Sequence, residues 1–242
     1  MSTQEILKQC SIEGKSLRIP QITLDRKEFT EIEKVLTKAG AKKVRGKDFR
    51  FDFPIECQSI IDKLIDGDKI DIKKEFQFFA TPKHLAERMV QLADLKETDS
   101  ILEPSAGQGA ILDCIPSHFK TVFLFELNEI NCELLKQKSY HIAGNDFLEI
   151  NPNHKFDKII ANPPFSKNSD CLHVLKMYEV LADKGRIVTL MSNHWRFCNN
   201  KKETEFREWL ETLDYSIEDI EEGTFKESGT NVATCLLIID KK

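Results

Sequence analysis

From about residue 79 onward the chain alternates short apolar runs with amphipathic segments, and that alternation leaves few folds open. The runs at 100–103, 122–126, 140–143, 158–161 and 185–191 read as strands. Helical patterns at 82–93, 109–115, 129–136 and 172–181 lie between them. Strand–helix–strand alternation predicts a mostly parallel sheet covered on both faces. After residue 200 the order changes to a helix at 203–213 and two strands at 216–220 and 234–239. The connection between those strands, "EEGTFKESGTN", is hairpin-like, so the sheet is expected to close with an antiparallel strand.

The first third reads differently. Residues 1–20 look like a loosely structured lead-in ending at Pro20. "DRKEFTEIEKVLTKAG" predicts a helix, with Asp25 as N-cap, Phe29, Ile32, Val35 and Leu36 on one stripe, and Gly40 at the end. "KKVRGKDFRFDFP" predicts strand–turn–strand, and "CQSIIDKLIDGD" a second short helix. The expected organisation is a small α+β domain over 1–75, with a possible role in substrate recognition, and an α/β domain over 76–242. Within the first, Lys42, Lys43, Arg45, Lys47 and Arg50 cluster with only Asp48 opposing, a candidate contact for a phosphate backbone.

Composition excludes several classes. Hydrophobic residues make up 40% of the 242 and charged residues 31%, which suits a globular core. A net charge of −5 argues against a whole-surface clamp on nucleic acid, so any polyanion contact must be local. The seven cysteines are odd in number and none sits in a C-x-x-C pair. That predicts no disulfide framework, no zinc or other metal, and a reducing cytoplasm. The N-terminal "MSTQEILKQCSIEGK" lacks the build of a signal peptide, and no run is long enough to predict a membrane span.

Chemistry concentrates where the predicted parallel strands end. In "ILEPSAGQGAIL" a strand ends at Glu103, and Pro104, Ser105, Ala106, Gly107 and Gly109 form a small-residue loop that lets backbone approach a ligand. It is not a dinucleotide fingerprint, because Leu112 stands where the third glycine belongs, and no lysine follows as in a Walker loop. Glu103 would repel a pyrophosphate and suit a cationic ligand. About 20 residues on, Glu126 ends the next strand, where carboxylates meet ribose diols. In "AGNDFLEI", Asp146 can accept from an adenine amino group and Phe147 can lie on its ring. Each has a plain structural explanation alone. Together they mark the edge at which open α/β sheets bind ligands.

The fourth strand stops at Asn162-Pro163-Pro164-Phe165, because proline cannot continue the ladder. Asn162 and the Pro163 carbonyl offer acceptors for an exocyclic amino group, and Phe165 offers a face for a planar base. After the fifth strand, "SNHWRFCNN" supplies Trp195, Arg196 and Phe197 as candidate nucleotide contacts. His194 there reads as a hydrogen-bonded loop residue rather than a base.

The turn resembles the N-P-P-F/Y signature of class I S-adenosylmethionine-dependent methyltransferases that act on amino nitrogens. With "EPSAGQG", Glu126 and "NDF" in that order, the chain resembles the N6-adenine methyltransferases over residues 79–240. "FFATPKHLAERMV" is similar to the segment before their glycine loop, so Phe79, Thr81 and Pro82 are carried over as cofactor contacts. The lead domain is similar to those of methyltransferases carried by phages and other mobile elements. The resemblance implies a Rossmann-like sheet, S-adenosylmethionine as cofactor with S-adenosylhomocysteine as product, and direct methyl transfer with Asn162, Pro163, Pro164 and Phe165 as the catalytic turn. It implies a nucleic-acid partner, DNA ahead of RNA, and no membrane. Little chain is left after Phe165 for a target-recognition domain. That keeps open RNA adenine or guanine amino groups, a protein glutamine amide, and a non-catalytic cofactor-binding subunit.

Overall fold

The computed structural model describes residues 1–70, 80–119, 121–221, 223–225 and 232–242. The chain divides into two compact units, Met1–Phe78 and Phe79–Lys242.

Among the described residues, the first unit is a four-stranded antiparallel sheet with three helices. Its strands are β1 (Ser11–Glu13), β2 (Ser16–Arg18), β3 (Lys42–Val44) and β4 (Arg50–Asp52), in the order β1-β2-β4-β3. Helix α1 spans Thr3–Leu7, α2 Arg26–Lys38 and α3 Gln58–Ile65. Asp25 caps α2 in a reciprocal box with Glu28, and Gly40 leaves it at φ 95°. The lead-in is not loose. Ser2 and Glu5 form a second capping box, Gly14 turns β1 into β2 at φ 57°, and Ser16 and Leu17 pair with Asp52 and Phe51. Leu17, Ile32, Leu36, Phe51 and Ile61 are fully buried and fix this unit's core.

The second unit is a six-stranded sheet, ordered β6-β5-β7-β8-β10-β9. Strands β5 (Ile101–Glu103), β6 (Val122–Leu124), β7 (Phe156–Ala161) and β8 (Leu181–Ser192) run parallel. Strand β10 (Thr234–Asp240) inserts antiparallel between β8 and β9 (Asp214–Asp219). The fold class is therefore α/β, with a mostly parallel Rossmann-like sheet and an antiparallel closing strand. Helices α4 (Lys83–Ala93), α5 (Glu129–Gln137), α6 (Ser169–Glu179), α7 (His194–Phe197) and α8 (Lys201–Leu210) complete the unit. Alternate residues of β7 enter opposite cores, as a two-residue period requires. Ile159 and Ala161 pack with Val174 and Met177 of α6, and Ile160 packs with Leu85 and Met89 of α4.

Two expected elements do not form. Residues 140–143 make no strand; only a single parallel bridge joins Phe125 to Gly144. Gly144 lies against the Phe125 ring, where an added Cβ would sit 2.6 Å from a ring carbon. Residues 109–115 shrink to one 3-10 turn, Leu112–Cys114. Gly109 enters at φ 83° and Pro116 pushes Ile115 to an extended conformation, so no α-helical run fits between them. Elsewhere helices and strands shift by a few residues. Most notably β8 starts at Leu181, which the sequence pattern assigns to the preceding helix. The connection from Glu221 to Asn231 falls partly outside the described residues. Among those described, no helix is long and apolar enough to cross a membrane.

Candidate active site

Because β5, β6, β7 and β8 are parallel, the segments leaving them open on one edge of the sheet. Glu103, the last residue of β5, is 2% exposed. Its Oε2 is buried without a hydrogen-bond partner among the described residues. Burial, then the charges of Glu126 and Asp113, push its carboxyl well above the ordinary range. The loop that follows turns through left-handed conformations at Gly107 (φ 56°) and Gly109 (φ 83°). Its start is tied to the residue just past β6 by the Ala106 N–H, which donates to the Phe125 carbonyl at 2.9 Å. Lys138 braces it from outside, donating to the Gln108 carbonyl at 2.8 Å and pairing with Asp113; Tyr140 also donates to Asp113.

Glu126 lies two residues past β6. It accepts from the Gly107 N–H at 2.6 Å and from the Asn128 N–H at 2.7 Å, with the Asn131 side chain at 3.4 Å. Burial raises its pKa, and the two backbone donors pull it back. Asp146 caps a short turn by accepting from the Leu148 N–H at 2.9 Å. Phe147 is 2% exposed, edge-on to Phe125 and beside His173, so the core holds most of its ring.

After β7, the Asn162 side-chain nitrogen donates to Thr81 Oγ1 at 3.0 Å. That bond sets the amide with its nitrogen toward Thr81 and its carbonyl turned the other way. Thr81 is itself 7% exposed, and Pro82 stands at the N-cap of α4. Pro163 is buried, and Phe165 packs partly buried on the cluster containing Leu85 and Met89. The structure thus brings Thr81 and Pro82, far away in sequence, to the Asn-Pro-Pro-Phe turn. Phe79 lies outside the described residues.

The segment after β8 divides its three candidates. Trp195 is 3% exposed and edge-on to Phe206, a core residue rather than a stacking surface. Arg196 pairs with Asp219 and lies over the Phe197 ring, and Phe197 alone is broadly exposed. In the first unit the basic cluster is partly neutralised. Lys43 pairs with Glu33, and Arg50 pairs with Asp48 and Asp52. Lys42, Arg45 and Lys47 remain exposed, without an ion pair among the described residues.

One residue the sequence pattern did not single out braces the site. Asp170, in the first turn of α6, accepts from the Ser192 N–H and hydroxyl at 3.0 and 2.8 Å, locking α6 to the end of β8. Its only sequence signal is an acid in a helix's first turn.

The donor set fits a ligand with a cationic end. A buried, orphaned carboxylate oxygen at Glu103 calls for a cation, and the left-handed glycines let backbone come close beside it.

No family model matches the chain. It is 27% identical over 188 residues to a ribosomal RNA small subunit methyltransferase A from Hydrogenobaculum, covering 70% of each chain. It is 28% identical over 207 residues to the type II methyltransferase M.CvrRI of a Paramecium bursaria chlorella virus, covering 75% of this chain and 53% of that one. In structure it is similar to the M protein of the type I restriction enzyme EcoKI, with a TM-score of 0.58 at 14% identity, over 98% of this chain and 56% of that one. The chain spans about half the length of several curated relatives that it matches. These relatives are S-adenosylmethionine-dependent methyltransferases, and S-adenosylmethionine is the cofactor that the likeness and the fold support.

Proposed function

We propose that this protein moves a methyl group from S-adenosylmethionine to the N6 amino group of adenine in nucleic acid, with DNA as the preferred substrate. The observation that carries the reading is the Asn162 amide, oriented by Thr81 and followed by Pro163, at the tip of β7. When bound, the cofactor supplies an electrophilic methyl carbon and leaves as S-adenosylhomocysteine. Glu103, Gly107, Gly109 and Glu126 would hold it, with Pro104, Ser105 and Ala106 shaping the loop and Asp146 and Thr81 at its margins.

The acceptor's difficulty is electronic, because an adenine amino lone pair is delocalised into the ring. Acceptor oxygens on Asn162 and Pro163 draw on both amino protons and favour a pyramidal nitrogen with its lone pair available. Phe165 holds the base plane so that the nitrogen approaches in line. Positioning and preorganised dipoles then supply most of the rate. Accepting the methyl would leave the adenine nitrogen cationic, and it would release one proton to solvent afterwards. No carboxylate stands at position 162 to remove it earlier. A base in a duplex must first leave the stack to reach this turn.

Support for DNA over RNA comes from extent. The match to M.CvrRI is longer than that to the ribosomal RNA methyltransferase, and the fold likeness to the EcoKI M protein takes in nearly the whole chain. The ribosomal RNA reading rests on several relatives named ribosomal RNA small subunit methyltransferase A, of which that from Hydrogenobaculum is matched over 70% of its length. Exposed Lys42, Arg45 and Lys47 are proposed as phosphate partners. Their replacement by serine should lower the salt slope of binding to duplex DNA by about 0.9 for each phosphate left without its cation.

The test is incubation with methyl-labelled S-adenosylmethionine and, separately, duplex DNA, ribosomal RNA and bulk protein, followed by nucleoside analysis. N6-methyladenine in DNA is the expected product. Label confined to RNA would transfer the reading to the second substrate, and label in neither nucleic acid would defeat it.

A further inference from the structure

Across the end of β8, away from the carboxylates of β5 and β6, three side chains of metal-ligating type converge. His194 opens α7, Cys198 follows four residues later at the end of that helix, and Glu203 sits in the first turn of α8. One ligand atom from each lies within 4.8 Å of the others, and His194 Nε2 is 3.7 Å from Glu203 Oε1. The cysteine spacing of the sequence predicts no such set. The signal was H-x-x-x-C followed by an acid, which only the tight turn between α7 and α8 makes into a cluster.

Glu203 is the informative member. It is 1% exposed, and its Oε2 is buried with no hydrogen-bond partner among the described residues. The carboxylate is otherwise held by the Asn168 side-chain amide at 2.6 Å and the Asn200 amide at 3.3 Å, both to Oε1, and by the Cys198 thiol. The nearby guanidinium of Arg207 is engaged by the Trp195 and Cys198 carbonyls and by Thr204. A carboxylate this deeply buried is costly without a cation. Amide donors on the other oxygen are the outer support that orients metal-binding carboxylates.

We propose that His194, Cys198 and Glu203 bind a zinc ion. Imidazole, thiolate and carboxylate are all zinc ligands, at about 2.0–2.3 Å, and three of them leave the fourth tetrahedral position to water. The present spread closes onto such a sphere by a small inward movement of His194, which is 62% exposed at its side chain. Thiolate and imidazole select zinc over magnesium or calcium. The ion would do more than neutralise Glu203. Through Asn168 it would stiffen the turn after Phe165, where Lys167 and Asn168 are both left-handed, at φ 52° and 60°. The inference stands independently of the methyl-transfer reading.

The experiment uses the reduced full chain, stripped with chelator and titrated with Co²⁺ alone. One equivalent should give the visible bands of four-coordinate cobalt and a near-ultraviolet thiolate-to-cobalt band, both erased by Zn²⁺. Cys198→Ser should remove the thiolate band, while Cys132→Ser, as control, keeps it. His194→Ala, at an exposed position that should not disturb folding, should weaken binding about tenfold or more. Far-ultraviolet dichroism confirms that each variant is folded. Absence of the bands in the wild-type chain overturns the proposal. So does a thiolate band that survives at equal affinity in folded Cys198→Ser or His194→Ala, because the ion would then sit elsewhere.

Discussion

The two halves of the sheet's carboxyl edge are built on opposite electrostatic plans. At β5 and β6 two acids, Glu103 and Glu126, are buried 23 residues apart in sequence, one of them with an orphaned oxygen. At β7 the turn from Asn162 to Phe165 carries no ionisable side chain; amide, prolines and ring are all neutral. Negative charge under the glycine loop is destabilising: backbone donors offset part of it at Glu126, and at Glu103 burial favours the neutral acid until a cation arrives. A neutral turn suits an uncharged amine whose own charge develops during reaction. A carboxylate in place of Asn162 would also pay for desolvation, so a polar but neutral acceptor meets two amino protons in a half-buried turn with the smaller penalty.

The sharpest way to break this contrast is at Asn162. Asn162→Ala removes the acceptor but touches neither acid. The proposed chemistry requires methyl transfer to fall by about 10²–10³-fold. S-adenosylmethionine affinity, measured by calorimetry, should stay within about threefold, far less than the tenfold that 1.4 kcal/mol represents. Equal losses in both would mean that the two halves are not separate.

Glu103→Gln attacks the other half, with the reverse pattern. Cofactor affinity should fall by roughly tenfold or more, since a buried carboxylate–cation pair loses its charge. The ligand-free protein should meanwhile lose part of its pH dependence. Burial keeps Glu103 protonated in the fold at pH values where the unfolded chain has already released its proton. The folded state therefore binds more protons, and stability falls as pH rises from the ordinary carboxylate range through the elevated folded value. Glu126 contributes with the same sign. Denaturant melts of Glu103→Gln across that range should show a shallower decline than wild type. An unchanged decline would mean that Glu103 is charged in the fold.

What could be read from the sequence follows the same division between local and assembled features. Asn162–Phe165, Glu103 and Glu126 were legible because a strand, a breaker and a chemical group lie within a few residues. The Asp25 cap of α2 was legible for the same reason. The strand at 140–143 was misread because its pairing depends on how closely Gly144 approaches the Phe125 ring, which no periodicity encodes. The basic cluster looked stronger than it is because Glu33, which neutralises Lys43, belongs to another element, and because Asp52 turns back along its own strand to Arg50. Trp195 reads as either a stacking surface or a plug until Phe206 is seen against it. His194, Cys198 and Glu203 were invisible as a group because two helices and the turn between them must form before the three meet.

Phe165→Leu tests whether the neutral half works by stacking. The change keeps apolar volume against Leu85 and Met89 but removes the ring face. Stacking is worth about 1–3 kcal/mol per base, so nucleic-acid KM should rise roughly 5- to 150-fold, with cofactor affinity unchanged. Steady-state kinetics on a short oligonucleotide separates KM from kcat. A loss confined to kcat would assign the ring to alignment rather than to grip.

The smallest expected effect is also the most specific. Thr81→Val keeps the shape of a buried side chain but deletes the oxygen that receives the Asn162 amide. Asn162 would then lose one partner that helps to fix its carbonyl direction, and its amide would rotate more readily to turn a donor toward the incoming amine. About 1 kcal/mol of orientation corresponds to a fall of roughly fivefold in kcat. Thr81→Ser restores the hydroxyl and should recover most of the rate, which a packing defect at that position would not allow. If valine and serine behaved alike, Thr81 would be filler beneath the turn, and the direction of the Asn162 carbonyl would have to come from its other contacts.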